Sequence, residues 1–464
     1  MPTIKSTDNL LAVNIPIGEA LTIVAPVGSS CYVSEPIKFV VSSTVTGATQ
    51  TFGPYTTSML LNIQCTTGAV NWSVGKLSLG AAFYLDPLTG RVAGLVDPVF
   101  GGVIGIGQTT LPKFANAISL AKAGTRNAKV LFLGDSTTAG GFASGASYTG
   151  NRALNTPTKF AKTLASLTGY YGNTFGDSWS SFANFQVYDP RWSFGASWTT
   201  SAVVVMGGGS ISCTGAATAA SFTPEQAFDT IDLYYIQNTT YGAFTLNVDG
   251  GATLGASVNS AGTLSVQKIT RTCTLGNHTL NIAKSDTNSV NLIGVSTYNS
   301  AIKGVEVISA GSGGYTAGQL AVNTNVWDQC YTTATGTLGL LLPDLTIINV
   351  GINDWIASTS PATFATNLQT IIDAARLYGD VVLVAPVPES SGSVSIANQR
   401  LIVSQIRQLA TQNGCPLLDI HAAWGNYAYA QGTLGYYAPT NDLIHPGATG
   451  YAAIAQSVKL LLGL

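Results

Sequence analysis

Charge is what this sequence has least of: 20 Lys and Arg and 22 Asp and Glu in 464 residues. That is 9% of the chain, where globular proteins carry about a quarter. The net charge of −2 leaves no basic surface to meet nucleic acid or an anionic membrane, so neither is expected as a partner. Histidine is scarcer still, at three residues, and the Asp, Glu and His positions lack the close spacing of a metal-ligand set. The six cysteines (Cys31, Cys65, Cys213, Cys273, Cys330 and Cys415) are scattered and contain no CxxC pair. This excludes the disulfide framework of a small secreted domain. Free, mostly buried thiols are the expectation, with Cys213 and Cys273 the one pair close enough in one module to bond. No phosphate-binding glycine loop occurs, so no metal and no cofactor are expected. No apolar run reaches membrane-spanning length, and Met1 to Asp8 do not read as a signal peptide.

What is abundant is glycine, at 51 residues, in a chain that is 46% hydrophobic, enough for two or three folded domains. One segment stands out. Lys129-Val130-Leu131-Phe132-Leu133 is an apolar, strand-like run ending in Gly134-Asp135-Ser136 and a string of small residues to Gly140. Such a pattern places a serine hydroxyl at the carboxyl end of a central strand, where open α/β sheets put their active sites. A second copy, Gly176-Asp177-Ser178, has no apolar run before it and reads as a loop.

Three further signals follow in order. Val305 to Ala310 reads as a strand leading into Gly311-Ser312-Gly313-Gly314-Tyr315-Thr316. Pro343 to Val350 reads as a buried parallel strand that enters Gly351-Ile352-Asn353-Asp354. Asp442-Leu443-Ile444-His445-Pro446 precedes an amphipathic helix over Ala448 to Leu462. Of the three histidines, His278 sits in a turn-then-strand pattern and His421 follows a short strand, which suits structural roles. His445 has an acid three residues upstream and a helix start behind it. In one tight turn Asp442 can accept a hydrogen bond from one imidazole nitrogen while the other faces Ser136; the plainer reading is that Asp442 caps the final helix.

Together these four blocks resemble the SGNH (GDSL-like) hydrolase family. The resemblance implies a three-layer α/β/α flavodoxin-like domain and a serine esterase with Ser136 as nucleophile, His445 as base and Asp442 orienting it. It also implies an oxyanion hole made by the backbone N–H of Ser136, the backbone N–H of Gly314 (or Gly313) and the side-chain amide of Asn353. Asn353 can alternatively be a turn residue, and Asp135 and Asp354 read as turn or supporting residues. The second block departs from the family in lacking an asparagine before its glycine; Ser309 and Ser312 are the nearest equivalents. Trp355, Tyr315 and Tyr234 are the aromatic candidates for substrate contact.

The blocks are spread unusually far apart, and something is inserted between the first and second. From about Trp192 to Lys303 the pattern becomes short alternating segments separated by turns, among them Thr230–Tyr235, Ala243–Val248 and Thr279–Ala283. Asp249-Gly250-Gly251 is a hairpin signal. This reads as an antiparallel β-sandwich resembling the jelly-roll carbohydrate-binding modules of some SGNH O-acetylesterases, with Trp198, Tyr234, Tyr235 and Tyr241 available to stack on sugars. The expected organisation is an N-terminal β-rich docking or oligomerisation domain over 1–112, the hydrolase domain over 113–190 and 304–464, and the β-module over 191–303. Helices are expected at Thr156–Leu167, Ala362–Tyr378 and Ser395–Asn413. The Ser/Thr/Gly-rich composition, the missing export signal and the modular insertion point to a phage tail fibre or tailspike. That would be a virion or extracellular homotrimer removing O-acetyl groups from a host polysaccharide. A non-catalytic glycan-binding protein and a secreted bacterial polysaccharide esterase are the alternatives.

Overall fold

A computed structural model describes residues 111–145, 150–164, 188–201, 210–215, 219–321, 337–390, 396–437 and 443–464, and N-terminal to these the strand backbones alone. The chain divides into two compact units, Met1–Pro98 and Val99–Leu464. In the first, eight strands form two four-stranded antiparallel sheets. One runs in the order Thr3–Lys5, Ala69–Gly75, Ala20–Val24, Thr49–Phe52, and the other Leu11–Ile15, Met59–Thr67, Ser30–Ser34, Ser42–Thr46.

The second unit is built on a five-stranded parallel sheet in the order Val305–Gly311, Ala128–Gly134, Leu345–Asn349, Asp380–Ala385, Leu417–Asp419. Counted along the chain, that order is 2-1-3-4-5, the flavodoxin-like winding, whose switch point lies between its first and third strands. Its strands are apolar nearly throughout because helices cover both faces. The Thr156–Thr163 and Ala448–Leu461 helices pack together, and Pro361–Arg376 packs against Ala317–Ala321 and Ile396–Asn413 as a separate group. Asparagine and serine caps open two of these helices: Asn155 Oδ1 accepts from Thr158 N at 2.9 Å, and Ser360 Oγ accepts from Thr363 N at 3.1 Å.

Register does the positioning. Gly134 pairs with Gly311 on one side and with Asn349 on the other. The three strands therefore end level, and the loops that follow them open on the same edge of the sheet. This is the edge on which Ser136, the 311–316 loop and Asn353 were expected to meet.

Strands from Trp192 to Tyr298 form the inserted element. They make two five-stranded antiparallel sheets, one containing Phe228–Gln237, Ser265–Gly276 and Val290–Tyr298, the other Ala243–Val248 and Leu280–Lys284. Trp198, Phe222, Phe228, Leu233, Phe244 and Ile282 fill the space between them. The hairpin at Asp249-Gly250 is present: both residues have positive φ, at 53° and 72°, and Gly251 N donates to Val248 O at 2.9 Å. The inner strands of the first sheet, Phe228–Gln237 and Val290–Tyr298, are buried on both faces. Ile231, Leu233 and Tyr235 face the sandwich core, whereas Tyr234, Ile236, Val266 and Ile293 join the core of the parallel-sheet domain. The insert is thus fused to the α/β domain through a shared apolar layer. Cys213 and Cys273, the one pair considered for a bond, are both free thiols.

Candidate active site

The nucleophile turn follows from its sequence. Asp135 ends the strand extended and caps a one-turn helix, Ser136–Ala139, its Oδ1 accepting from Thr137 N at 2.9 Å and Thr137 Oγ1 at 2.7 Å. Gly140, at φ 85°, closes the turn in the left-handed region where a side chain is disfavoured. Asn349 on the neighbouring strand reaches across, its Nδ2 donating to Thr137 Oγ1 at 3.0 Å. With helix and strand tied together, the Ser136 side chain is presented at the sheet edge, 5% exposed.

His445 arrives from a position 309 residues away. Its Nε2 lies 2.8 Å from Ser136 Oγ, within reach of the proton that a general base must take from the hydroxyl. The turn carrying it is held on two sides. Ser390 N donates to Leu443 O at 3.1 Å and Gly447 N to Tyr436 O at 2.8 Å. From the helix behind, Tyr451 Oη donates to Gly141 O at 2.9 Å, so the histidine helix and the nucleophile loop are bonded directly. Asp442, expected to orient His445, lies outside the described residues.

Two backbone amides expected as donors are uncommitted among the described residues. Ser136 N–H is the first amide of its helix and has no hydrogen-bond partner among the described residues. In the second block, Ser312 N is committed to Gly134 O at 2.8 Å and Tyr315 N to Ser312 O at 3.3 Å, but Gly314 N–H has no partner among the described residues. Gly314 is exposed with φ 78°, and a Cβ there would meet nothing within 4 Å, so its backbone lies open. This favours Gly314 over Gly313 as the second donor. Asn353, the third expected donor, gives one Nδ2 hydrogen to Tyr315 O at 2.9 Å, and its amide carries a second. Asn353→Ala is expected to lower kcat on an ester substrate by about 10²–10³-fold with little change in KM; an unchanged kcat would remove Asn353 from this role.

Neither neighbouring aspartate is placed to be the triad acid. Asp135 is fully buried and bonded to Thr137; burial, opposed by those bonds and by nearby His445, pushes its carboxyl up to about 6. Asp354 accepts from Ala317 N at 2.8 Å, tying the third block to the helix after the second, and burial raises its carboxyl. Ser309 is buried and takes a 3.4 Å hydrogen bond from Asn155 Nδ2; Asn155 also donates to Tyr188 Oη at 3.3 Å, and Tyr188 Oη donates to Ala139 O at 2.9 Å. That polar chain under the nucleophile helix has no sequence signal of its own, since its members lie far apart.

The remaining expectations fare unevenly. Trp355 is fully buried, its indole donating to the carboxylate of buried Glu389 at 2.7 Å, so it holds a loop and does not meet substrate. Tyr234 is likewise fully buried, in the layer between insert and α/β domain. Both are corrections: each sits in a segment that packs on all sides. Tyr315 is partly buried, its carbonyl occupied by Asn353. Trp198 and Tyr235 are buried too, and Tyr241 Oη accepts from Asn291 Nδ2 at 3.3 Å, which removes most of the expected sugar-stacking surface. His278 lies in the insert, its Nδ1 2.6 Å from Asp249 Oδ2, and that contact raises it. His421 is pushed down to about 4 by burial and stays neutral. It lines a cleft of about 340 Å³ with Arg400, Asn426 and Tyr427.

Among the described residues, no group of His, Cys, Asp and Glu can hold a metal ion, and no helix is long and apolar enough to cross a membrane. Comparison with curated proteins produced no match. Among solved structures, the fold is similar to that of a peptidoglycan O-acetylesterase, with a TM-score of 0.54 at 19% identity over 77% of this chain and 97% of that one. A lipase/acylhydrolase from Enterococcus faecalis (TM-score 0.29, 20% identity, 34% and 77% covered) also matches. So does a family two carbohydrate esterase from Cellvibrio japonicus (0.25, 12%, 59% and 96%). Residues 294–453 match the model of the GDSL-like Lipase/Acylhydrolase family, a span that begins within Val290–Tyr298, the last strand of the insertion, holds Gly314, Asn353, Asp442 and His445, and leaves Ser136 outside. About a third of the chain is thus similar to the GDSL-like lipase/acylhydrolase family, and the strand before Ser136 is separated from most of that span by the inserted sheets.

Proposed function

We propose that this protein is a serine esterase that removes O-acetyl groups from a polysaccharide through an acyl-enzyme. The observation that carries the reading is the 2.8 Å contact between His445 Nε2 and Ser136 Oγ, together with the Ser136 and Gly314 amides, which have no partner among the described residues. Ser136 Oγ attacks the ester carbon as its proton passes to His445 Nε2. The carbonyl oxygen becomes an oxyanion held by the N–H groups of Ser136 and Gly314 and by Asn353 Nδ2. Collapse breaks the bond to the sugar oxygen, which leaves with the proton from His445. Water, deprotonated by the same histidine, then releases acetate and restores the serine.

An acetyl group suits the surroundings of Ser136. Its neighbours Thr137, Thr138, Ala139, Gly140 and Gly141 are small, and the first two are tied to Asn349. The similar structure named as a peptidoglycan O-acetylesterase supports a glycan substrate. A sandwich of the jelly-roll kind fits the same reading, although its buried aromatics favour a supporting over a sugar-stacking role. Composition supports the further proposal of a phage tail fibre or tailspike, found in the virion or outside the cell, that acts as a homotrimer on host capsule or O-antigen. The first 112 residues would serve there in docking or oligomerisation.

The deciding experiment is acetate release from O-acetylated bacterial polysaccharides by the wild type and by Ser136→Ala. Release by the wild type alone is the expected result. No release from any polysaccharide, together with faster cleavage of decanoyl than acetyl esters, would sink the deacetylase assignment. If the wild type binds glycan and cleaves neither, the glycan-binding alternative replaces it.

A further inference from the structure

We infer that Phe142 is a positioning residue for His445, holding the imidazole in the plane that proton transfer requires; the inference rests on the esterase reading above. Among the described residues, four other than glycine have positive φ: Phe142, Asp249, Leu342 and Ser358. Asp249 is a residue type that tolerates this region and sits in a hairpin turn. Phe142, at 57°, is a bulky side chain where glycine or asparagine is the ordinary choice. Such a conformation persists when the surroundings over-determine it, and these outliers gather at functional sites.

What the conformation achieves is visible in the ring. Phe142 lies against the imidazole of His445 with centroids 5.1 Å apart and planes inclined by 26°. Hydrogen bonds at the ring nitrogens act in the plane of an imidazole and leave its tilt about their axis weakly held. A stacked face controls that tilt. On the ring's edge stands Gly141, where even a Cβ would come within 2.7 Å of His445 Cδ2 and 3.0 Å of Nε2. Gly141 is fixed in turn by Tyr451. The imidazole thus sits in a slot with Gly141 at its edge and Phe142 over its face.

The stack also acts during the reaction. Imidazole is neutral before attack and carries a positive charge once it has taken the serine proton. A cation within about 6 Å of an aromatic face is stabilised by the ring quadrupole. The contact therefore strengthens as charge develops, which lowers the barrier and leaves ground-state binding alone.

The test compares Phe142→Leu, Phe142→Gly and Phe142→Tyr with the wild type in acetyl ester hydrolysis and thermal melting. Proton NMR of the histidine rings is recorded alongside; with three histidines in the chain, the signals can be assigned by substitution. Expected are a fall in kcat of about tenfold or more for Leu and Gly with KM nearly unchanged, and recovery in Tyr. The melting temperature of Phe142→Gly should not fall, because glycine accepts the left-handed backbone. The ring protons of His445 should lose an upfield shift in the Leu variant. Unchanged kcat in Leu or Gly, or a loss confined to KM, overturns the inference, the latter making the ring a substrate contact. An inactive wild type would count against the esterase reading, while the NMR shift would still decide whether the ring holds the histidine.

Discussion

His445→Ala is expected to lower kcat on acetyl esters by about 10⁶-fold, to the level of Ser136→Ala, and combining the two should cost almost nothing more. The reason is the single hydrogen bond between them. Ser136 Oγ is a weak nucleophile while it keeps its proton, and His445 Nε2, at 2.8 Å, is the one base within reach of it among the described residues. Removing either partner ends the same step, so the losses overlap. What remains is the stabilisation that the Ser136 and Gly314 amides and Asn353 offer to any oxyanion, about 10³–10⁴ over water in other serine hydrolases. Steady-state kinetics of the two single variants and the double variant measure this directly. A His445→Ala enzyme within about 10²-fold of the wild type, or losses that multiply in the double variant, would place the base elsewhere.

The second large effect comes from a residue with no side chain and no chemistry. Gly311→Ala is expected to lower kcat by about 10³-fold or more and to destabilise the fold by about 1–3 kcal/mol. Gly311 ends its strand beside Gly134, directly under the nucleophile helix. A Cβ there would lie 2.2 Å from Ala139 N, 2.7 Å from its Cα and 2.9 Å from its Cβ. Backbone cannot swing aside as a flexible side chain can, so the Ser136–Ala139 turn must lift by about 1 Å to restore ordinary contact distance. A displacement of that size costs about 10² in a positioned reaction, and here it also stretches the Ser136–His445 hydrogen bond and moves the Ser136 amide. Melting and turnover measured on one preparation separate the two components. Wild-type turnover in a folded Gly311→Ala protein would mean that the turn has slack that its hydrogen bonds to Asn349 and Asp135 do not suggest.

Much of this arrangement was legible in the chain, and the reason is physical. A parallel strand covered on both faces must be apolar throughout, so Ala128–Gly134, Val305–Gly311, Leu345–Asn349 and Asp380–Ala385 announce themselves as short apolar runs. The residues after them announce the loops, because glycine, serine and asparagine are required where backbone meets substrate. The same logic failed for Tyr234. Its strand alternates as if one face met solvent, but that strand lies between two cores, and neither periodicity nor composition reveals the second. Trp355 misled for a related reason: lying two residues beyond Asn353, it turns inward to Glu389. Phe142 gave no signal at all, since a left-handed phenylalanine is spelled like any other.

Ser136 and His445 are 309 residues apart, and this has a consequence for the timing of activity in the cell that makes the protein. At about 5–20 residues per second, roughly 15–60 s of translation separate the two. Throughout that interval the growing chain carries a serine that is chemically an ordinary alcohol. Its parallel sheet is incomplete for most of that time too, because the Leu345–Asn349, Asp380–Ala385 and Leu417–Asp419 strands emerge after the sandwich. The ribosome-bound chain is therefore inert towards esters, and hydrolysis begins only once the His445 turn has been made and has docked.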